Sequence, residues 1–104
     1  MKIYISGGIT NVPNFMEQFE ITEKYLRKTY TTAEIINPAL VNSHLPKSTS
    51  HEQYMKMSFV MLDMADVVYM MPNWKESYGA NQEYGYALAK GKIIVFGKEL
   101  NEPG

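Results

Sequence analysis

The sequence predicts an α/β fold in which one open parallel sheet is wrapped by helices. Three observations carry that expectation. Strand-like and helix-like segments alternate as βαβαβαβ, Gly, Pro or a capping residue punctuates most of them, and 45% of the 104 residues are hydrophobic, enough for one thin core. Lys2-Ile3-Tyr4-Ile5-Ser6 places Ile3 and Ile5 on one face and stops at Gly7-Gly8, a strand running into a loop. Pro13 suits a first helical turn, and Phe15, Phe19, Thr22 and Leu26 recur at helical spacing up to about Lys28. Residues 33–36 form a short strand ending at Asn37, because Pro38 disfavours helix at the residue before it. Residues 39–50, rich in Ser, Pro, His and Asn, read as irregular.

Ser50 caps a second helix from His51, with Gln53 completing a capping box. Tyr54 to Ala65 is apolar on nearly every side, which predicts burial on more than one face. Asp66 leads into Val67-Val68-Tyr69-Met70-Met71, a strand covered on both sides and closed by Pro72. After a loop at 73–78, a third helix runs from Gly79 or Ala80 to Ala89 with Gly91 as its stop, and residues 92–96 form the last strand before a polar tail. The whole chain, 1–104, reads as one domain. Right-handed crossovers give a flavodoxin-like strand order, 2-1-3-4, with three main helices. In that order nothing covers strands 3 and 4 on the face of the first helix. The bare apolar surface predicts a homodimer or a higher homo-oligomer.

Composition removes several function classes. Ten Lys+Arg against eleven Asp+Glu give a net charge of −1 and no basic stripe, so nucleic acid is not an expected partner. The absence of cysteine excludes disulfides, thiolate metal sites and a thiol nucleophile, and two separated histidines argue against zinc, so neither metal nor cofactor is expected. No apolar run reaches the ~18 residues of a membrane span and the start lacks a signal-peptide pattern. A cytoplasmic location and no membrane partner are the corresponding expectations.

In an open parallel sheet, ligands bind outside the C-terminal strand ends. Ser6-Gly7-Gly8, Asn37-Pro38 and residues 73–83 converge there, whereas Asp63 and Asp66 lie at the opposite edge and read as structural. Glu83 stands out as a carboxylate in about the first turn of the third helix, where peptide N–H groups keep it ionised and able to attack a sugar carbon. Its plain alternative is a helix-end glutamate. Gly7 and Gly8 offer backbone N–H groups of the kind that cradle phosphate, and Ser77 and Gly79 flank a helix N-terminus, a second anion site whose plain alternative is capping. Trp74 and Tyr78 could stack on a base or simply pack. His44 and His51 read as surface residues, and the methionines of the second helix as core or interface filler.

Lys2 to Gly7, Asn14-Phe15, Ile36-Asn37-Pro38, Tyr54-Met55 to Asp66, Pro72-Asn73-Trp74 and the run from Ser77 to Ala87 together resemble the nucleoside 2-deoxyribosyltransferase superfamily. The likeness is greatest to its short bacterial and phage branch and extends to the 2′-deoxynucleoside 5′-phosphate N-hydrolases. It covers residues 1 to about 97, and Gly-Ala-x-x-Glu-x-Gly-x-Ala is its most specific part. The resemblance implies a flavodoxin-like fold in which Glu83 attacks C1′ of a deoxyribosyl group and expels the base; a second base or water then takes the sugar. It also implies substrate contacts from Tyr4, Ser6, Gly7, Gly8, Asn14, Asn37, Trp74, Ser77 and Gly79, with Gly7, Gly8, Ser77 and Gly79 holding a 5′-phosphate where one is present. One position departs from the pattern. Many members carry an aspartate eight residues before the Asp that opens strand 3, placed to aid proton transfer to the base; here that position is Ser58.

A serine forms hydrogen bonds but is no acid near neutral pH, and Asp63 is rotated from it by roughly 140° on the helix. Another group protonates the base, or turnover is slow, or the chain only binds. The leading reading is therefore an enzyme acting on a nucleoside or nucleotide, with Glu83 and Ser58 as its catalytic positions. Its alternative is a non-catalytic nucleotide-binding module, a sensor or sequestering protein, with the same pocket. A protein serving assembly alone is the third.

Overall fold

The computed structural model describes residues 1–99 and contains a four-stranded parallel sheet. Its strands are β1 (Lys2–Ser6), β2 (Glu34–Ile36), β3 (Val67–Met70) and β4 (Ile93–Phe96), in the order β2-β1-β3-β4 that the connections predict. Tyr4 of β1 pairs with Ile36 on one side and Val68 on the other, and Ser6 pairs with Met70. Four helices connect and cover the strands: α1 (Phe15–Thr29), α2 (Pro38–Asn42), α3 (His51–Met64) and α4 (Tyr78–Ala89), with a 3-10 turn at Trp74–Glu76. Of the expected polar tail, residues 100–104 lie outside the described part.

Strand alternation divides the core in two. Ile3 and Ile5 of β1 join Val67 and Tyr69 of β3 beneath Phe19 and Leu26 of α1. Tyr4 faces the other way with Val68 and Met70, beneath Met61 and Leu62 of α3 and Ala80 and Ala87 of α4. The expected helix spacing holds, since Phe19, Thr22 and Leu26 are the buried residues of α1. Pro13, however, precedes the helix, whose N-cap position is Asn14.

Two other expectations change. Residues 39–42 are not irregular. Pro38, which ends the strand before it, opens α2, and the Asn37 side chain accepts from the Leu40 N–H as its N-cap. Nor is α3 buried on more than one face. Its capping box forms as the sequence predicts, and Met55, Ser58, Met61 and Leu62 turn inward. Met57, Val60 and Met64 form an outward stripe, because the sheet and α4 lie on one side only; Val60 is 59% and Met64 56% exposed.

At the far end of α4, Gly91 adopts φ +72°, the left-handed stop expected of it. The Asp66 carboxylate accepts from the Lys2 N–H at 2.9 Å, and that of Asp63 from the Tyr86 hydroxyl at 2.7 Å, so both aspartates hold elements together at the N-terminal edge. On the α1 face, Ile93 is exposed among the described residues, as the bare-face argument anticipates, while Tyr25 leans toward Tyr69 with ring centroids 6.4 Å apart. Among the described residues no helix is long and apolar enough to cross a membrane.

Leu62 touches the sheet from α3 and is fully buried, so Leu62→Ala should cost about 2–5 kcal/mol. Urea unfolding will show a lower midpoint with an unchanged slope, whereas Lys56→Ala, exposed on the same helix, should stay within about 0.5 kcal/mol of the parent.

Candidate active site

β1 is a central strand, and its residues four and six share the face that α3 and α4 cover. Both point a hydroxyl at one carboxylate. The Tyr4 hydroxyl donates to Glu83 Oε2 and the Ser6 hydroxyl to Glu83 Oε1, each at 2.6 Å and each buried. The buried Ser58 hydroxyl on α3 lies near enough to lower both the Tyr4 and the Glu83 values. Glu83 is only 6% exposed, and burial pushes its carboxyl above the ordinary glutamate value, against the pull of the Ser6, Tyr4 and Ser58 hydroxyls. Burial, and then the charge of Glu83, hold the Tyr4 phenol well above its usual value. With both oxygens accepting from hydroxyls, the ionised carboxylate is the form the arrangement fits.

The start of α4 revises the sequence account of this charge. Ser77 is the N-cap, its Oγ accepting from the Ala80 N–H at 3.1 Å. Glu83 is therefore the sixth helical residue, in the second turn rather than the first, where helix-end stabilisation has faded. The hydroxyls take over that task.

Glu83 opens onto a cleft of about 390 Å³. One wall, from Ile9, Phe15, Met16 and Ala39, is apolar; the opposite side carries His51, Tyr54 and Ser58 of α3 and Ser77 and Gly79 at the start of α4. His51 Cε1 lies 3.8 Å from where a Cβ on Gly79 would stand, and its ring lies 5.9 Å from that of Tyr78. The cleft thus has a hydroxyl-lined floor, an apolar wall and a polar rim at a helix N-terminus. A buried carboxylate facing such a space is equipped to act as a nucleophile or a base. Among the described residues no three His, Asp or Glu side chains cluster closely enough to hold a metal ion.

Of the residues singled out from sequence, Glu83, Ser58, Gly7, Ser77 and Gly79 line the cleft, and Tyr4 and Ser6 reach it through Glu83. Gly7 is also tightly packed: an added Cβ would stand 2.6 Å from Met71 Sδ. Four others are engaged elsewhere. The Gly8 N–H donates to Asn73 Oδ1 at 3.0 Å, Asn14 Oδ1 accepts from Gln18 at 2.9 Å, and Asn37 donates to Glu23 at 3.0 Å while capping α2. Trp74 packs against Tyr84 and Phe96 at centroid distances of 4.8 and 5.8 Å.

Among the lining residues that sequence reasoning missed are His51, Tyr54 and Asn42. His51 is exposed, as expected, but it borders the cleft; its spacing from Met55 and Ser58 on one helical face was the available signal. Tyr54 belongs to the same face. Asn42 gave no signal, because it lies on the turn of helix read as a loop. Its Oδ1 is buried with no hydrogen-bond partner among the described residues.

Residues 1–96 match the model of a family described as a domain of unknown function, DUF4406. No curated protein sequence matches the chain. Among solved structures it is similar to a 2-deoxyribosyltransferase from Leishmania mexicana, with TM-score 0.67 and 20% identity, over 91% of this chain and 62% of that one. It is also similar to a 2-deoxyribosyltransferase from the psychrotolerant bacterium Bacillus psychrosaccharolyticus, with TM-score 0.72 and 19% identity, over 97% of this chain and 77% of that one. The chain thus spans less than two-thirds of the Leishmania protein and has the fold of both.

A carboxyl whose folded value is raised stabilises the fold fully below its unfolded value, and that contribution is lost as pH rises through the folded one. Glu83→Gln, which carries no charge, should therefore melt above the parent at pH 8. The difference should shrink steadily as pH is lowered, read by thermal unfolding across a pH series.

Proposed function

We propose, for a chain that belongs to the DUF4406 family and has the 2-deoxyribosyltransferase fold, that it cleaves or transfers the N-glycosidic bond of a 2′-deoxynucleoside or its 5′-monophosphate. The buried Glu83 carboxylate, held by two hydroxyls at the floor of a cleft, carries this reading. One Glu83 oxygen attacks C1′ as the bond from C1′ to the base nitrogen breaks. Water or a second base then displaces the carboxylate from C1′ and regenerates it. Tyr4 and Ser6 aim the carboxylate and keep it ionised. The Ser77 hydroxyl and the Gly79 N–H, at the start of α4, would receive a 5′-phosphate together with the Gly7 backbone, which also lines the cleft. The apolar wall suits a base.

A second reading, binding without chemistry, draws on Ser58, which supplies a hydroxyl and no acid at the floor of the cleft. Chromatographic detection of free base, run beside calorimetry on the same deoxynucleotides, separates the two. Catalysis requires base release that Glu83→Ala lowers at least ~10³-fold while binding persists. Binding with no release from any deoxynucleotide favours the second.

Removing one hydroxyl from the carboxylate should lower kcat/KM by about tenfold or more, the worth of a hydrogen bond to a charged group. Because activity needs the ionised form, it should fall as pH drops through a midpoint above the ordinary glutamate value. Ser6→Ala should move that midpoint higher still, since a donor to the anion is lost.

We also propose a homo-oligomer, now through the stripe of Met57, Val60 and Met64 on α3. Val60→Glu should convert it to monomers in light scattering. A monomeric parent at micromolar concentration would overturn this.

A further inference from the structure

Breaking a bond from C1′ to a base nitrogen leaves an electron pair on that nitrogen, and an acid near the base eases its departure. Among the described residues the cleft is poorly supplied with acids. Apart from Glu83, its titratable lining residues are His51 and Tyr54. Glu83 is spent as the nucleophile. Tyr4, behind it, commits its proton to Glu83 Oε2 at 2.6 Å and is fully buried. His51 sits two helical turns from Ser58, about 10 Å along α3, beside Gly79 and Tyr78 at the rim to which the reading above assigns a phosphate. Tyr54, one turn from Ser58, offers a phenol, a hydrogen-bond donor but a weak acid at neutral pH. Ser58 itself stands beside the carboxylate with only a hydroxyl.

We infer, building on the glycosidic reading above, that this cleft expels the base unprotonated, and so selects deoxynucleotides whose base is stable as an anion: uracil and its electron-poor C5 derivatives, ahead of adenine and cytosine. As the Glu83 oxygen bonds to C1′, the pair from the breaking bond goes to N1 of the base and spreads onto the neighbouring carbonyl oxygens. Water then attacks C1′ and frees the carboxylate. Its proton ends on the base anion, so deoxyribosyl-base plus water gives sugar plus neutral base.

The test is a leaving-group series, the 5′-monophosphates of 5-fluoro-, 5-bromo-, unsubstituted and 5-methyl-2′-deoxyuridine, with single-turnover rates read at excess enzyme. These bases share a framework and differ mainly in acidity. Rates should rise steeply with that acidity, by roughly tenfold or more from the methyl to the fluoro compound. The pH profile should show the acid limb of Glu83 and no loss on the basic side. Ser58→Asp should flatten the series, chiefly by raising the rate of the 5-methyl compound, and should introduce a basic limb.

A flat series in the parent overturns the inference and leaves the glycosidic reading standing. So does a flat parent series that Tyr54→Phe or His51→Ala makes steep, since either would identify the acid. Base release from none of the four, nor from any other deoxynucleotide, overturns both. The parent series decides the matter even if Ser58→Asp does not fold.

Discussion

The pair of hydroxyls on Glu83 is the constraint around which the rest is arranged. A charge buried this deeply is costly unless hydrogen bonds replace the water it loses. Those bonds come from Tyr4 and Ser6, two residues apart on one face of a strand that pairs on both sides. A central strand has little freedom to shift, so the hydroxyls are fixed to within the tolerance of the sheet. α4 must then lie where its second turn meets the end of β1. The loops follow from that: Asn73 after β3 accepts from the Gly8 N–H after β1, and the Asn81 side chain donates to the carbonyls of Lys75 and Ser77, fastening the turn that leads into α4.

This arrangement sets stability against chemistry. Burial that raises the Glu83 carboxyl would favour the proposed nucleophilic role, since a poorly solvated anion is more reactive, but the same burial costs the fold stability at neutral pH. Two neutral hydroxyls are a moderate response. A lysine or arginine in their place would hold the charge more firmly and would tie up the electron pair that the proposed attack on C1′ calls for. Neutral donors keep the group ionised without neutralising it.

How much of this was legible in the sequence depended on range. Strand order, the α3 capping box and the Gly91 stop are local or topological, and each follows from neighbouring residues. The placement of Glu83 at the ligand edge was equally accessible, because it needs only the direction of α4 relative to the strands. Its reason was not. The bonds to Tyr4 and Ser6 span 79 and 77 residues, and no local pattern announces them. The resemblance supplied the residues without the geometry. Asn37 shows the reverse failure: it lies near the edge where ligands gather, yet its amide caps α2 and holds Glu23, a structural duty that an N-P pair also encodes. Trp74 likewise fills the gap between α4 and β4 through its contacts with Tyr84 and Phe96.

α3 serves two surfaces. His51, Tyr54, Met55, Ser58 and Leu62 fall within a wedge about 100° wide that faces the cleft and the core, while Met57, Val60 and Met64 lie on the outer side. A helix with one apolar side against the sheet and another against solvent is poorly anchored by the chain alone. A second copy seated on the stripe would press the same helix that carries Ser58 and His51 toward α4, and would hold the floor and the rim of the cleft at fixed separation. Assembly and site geometry are then properties of one element, and loss of the interface would be felt at Glu83 through Ser58 before it was felt in the sheet.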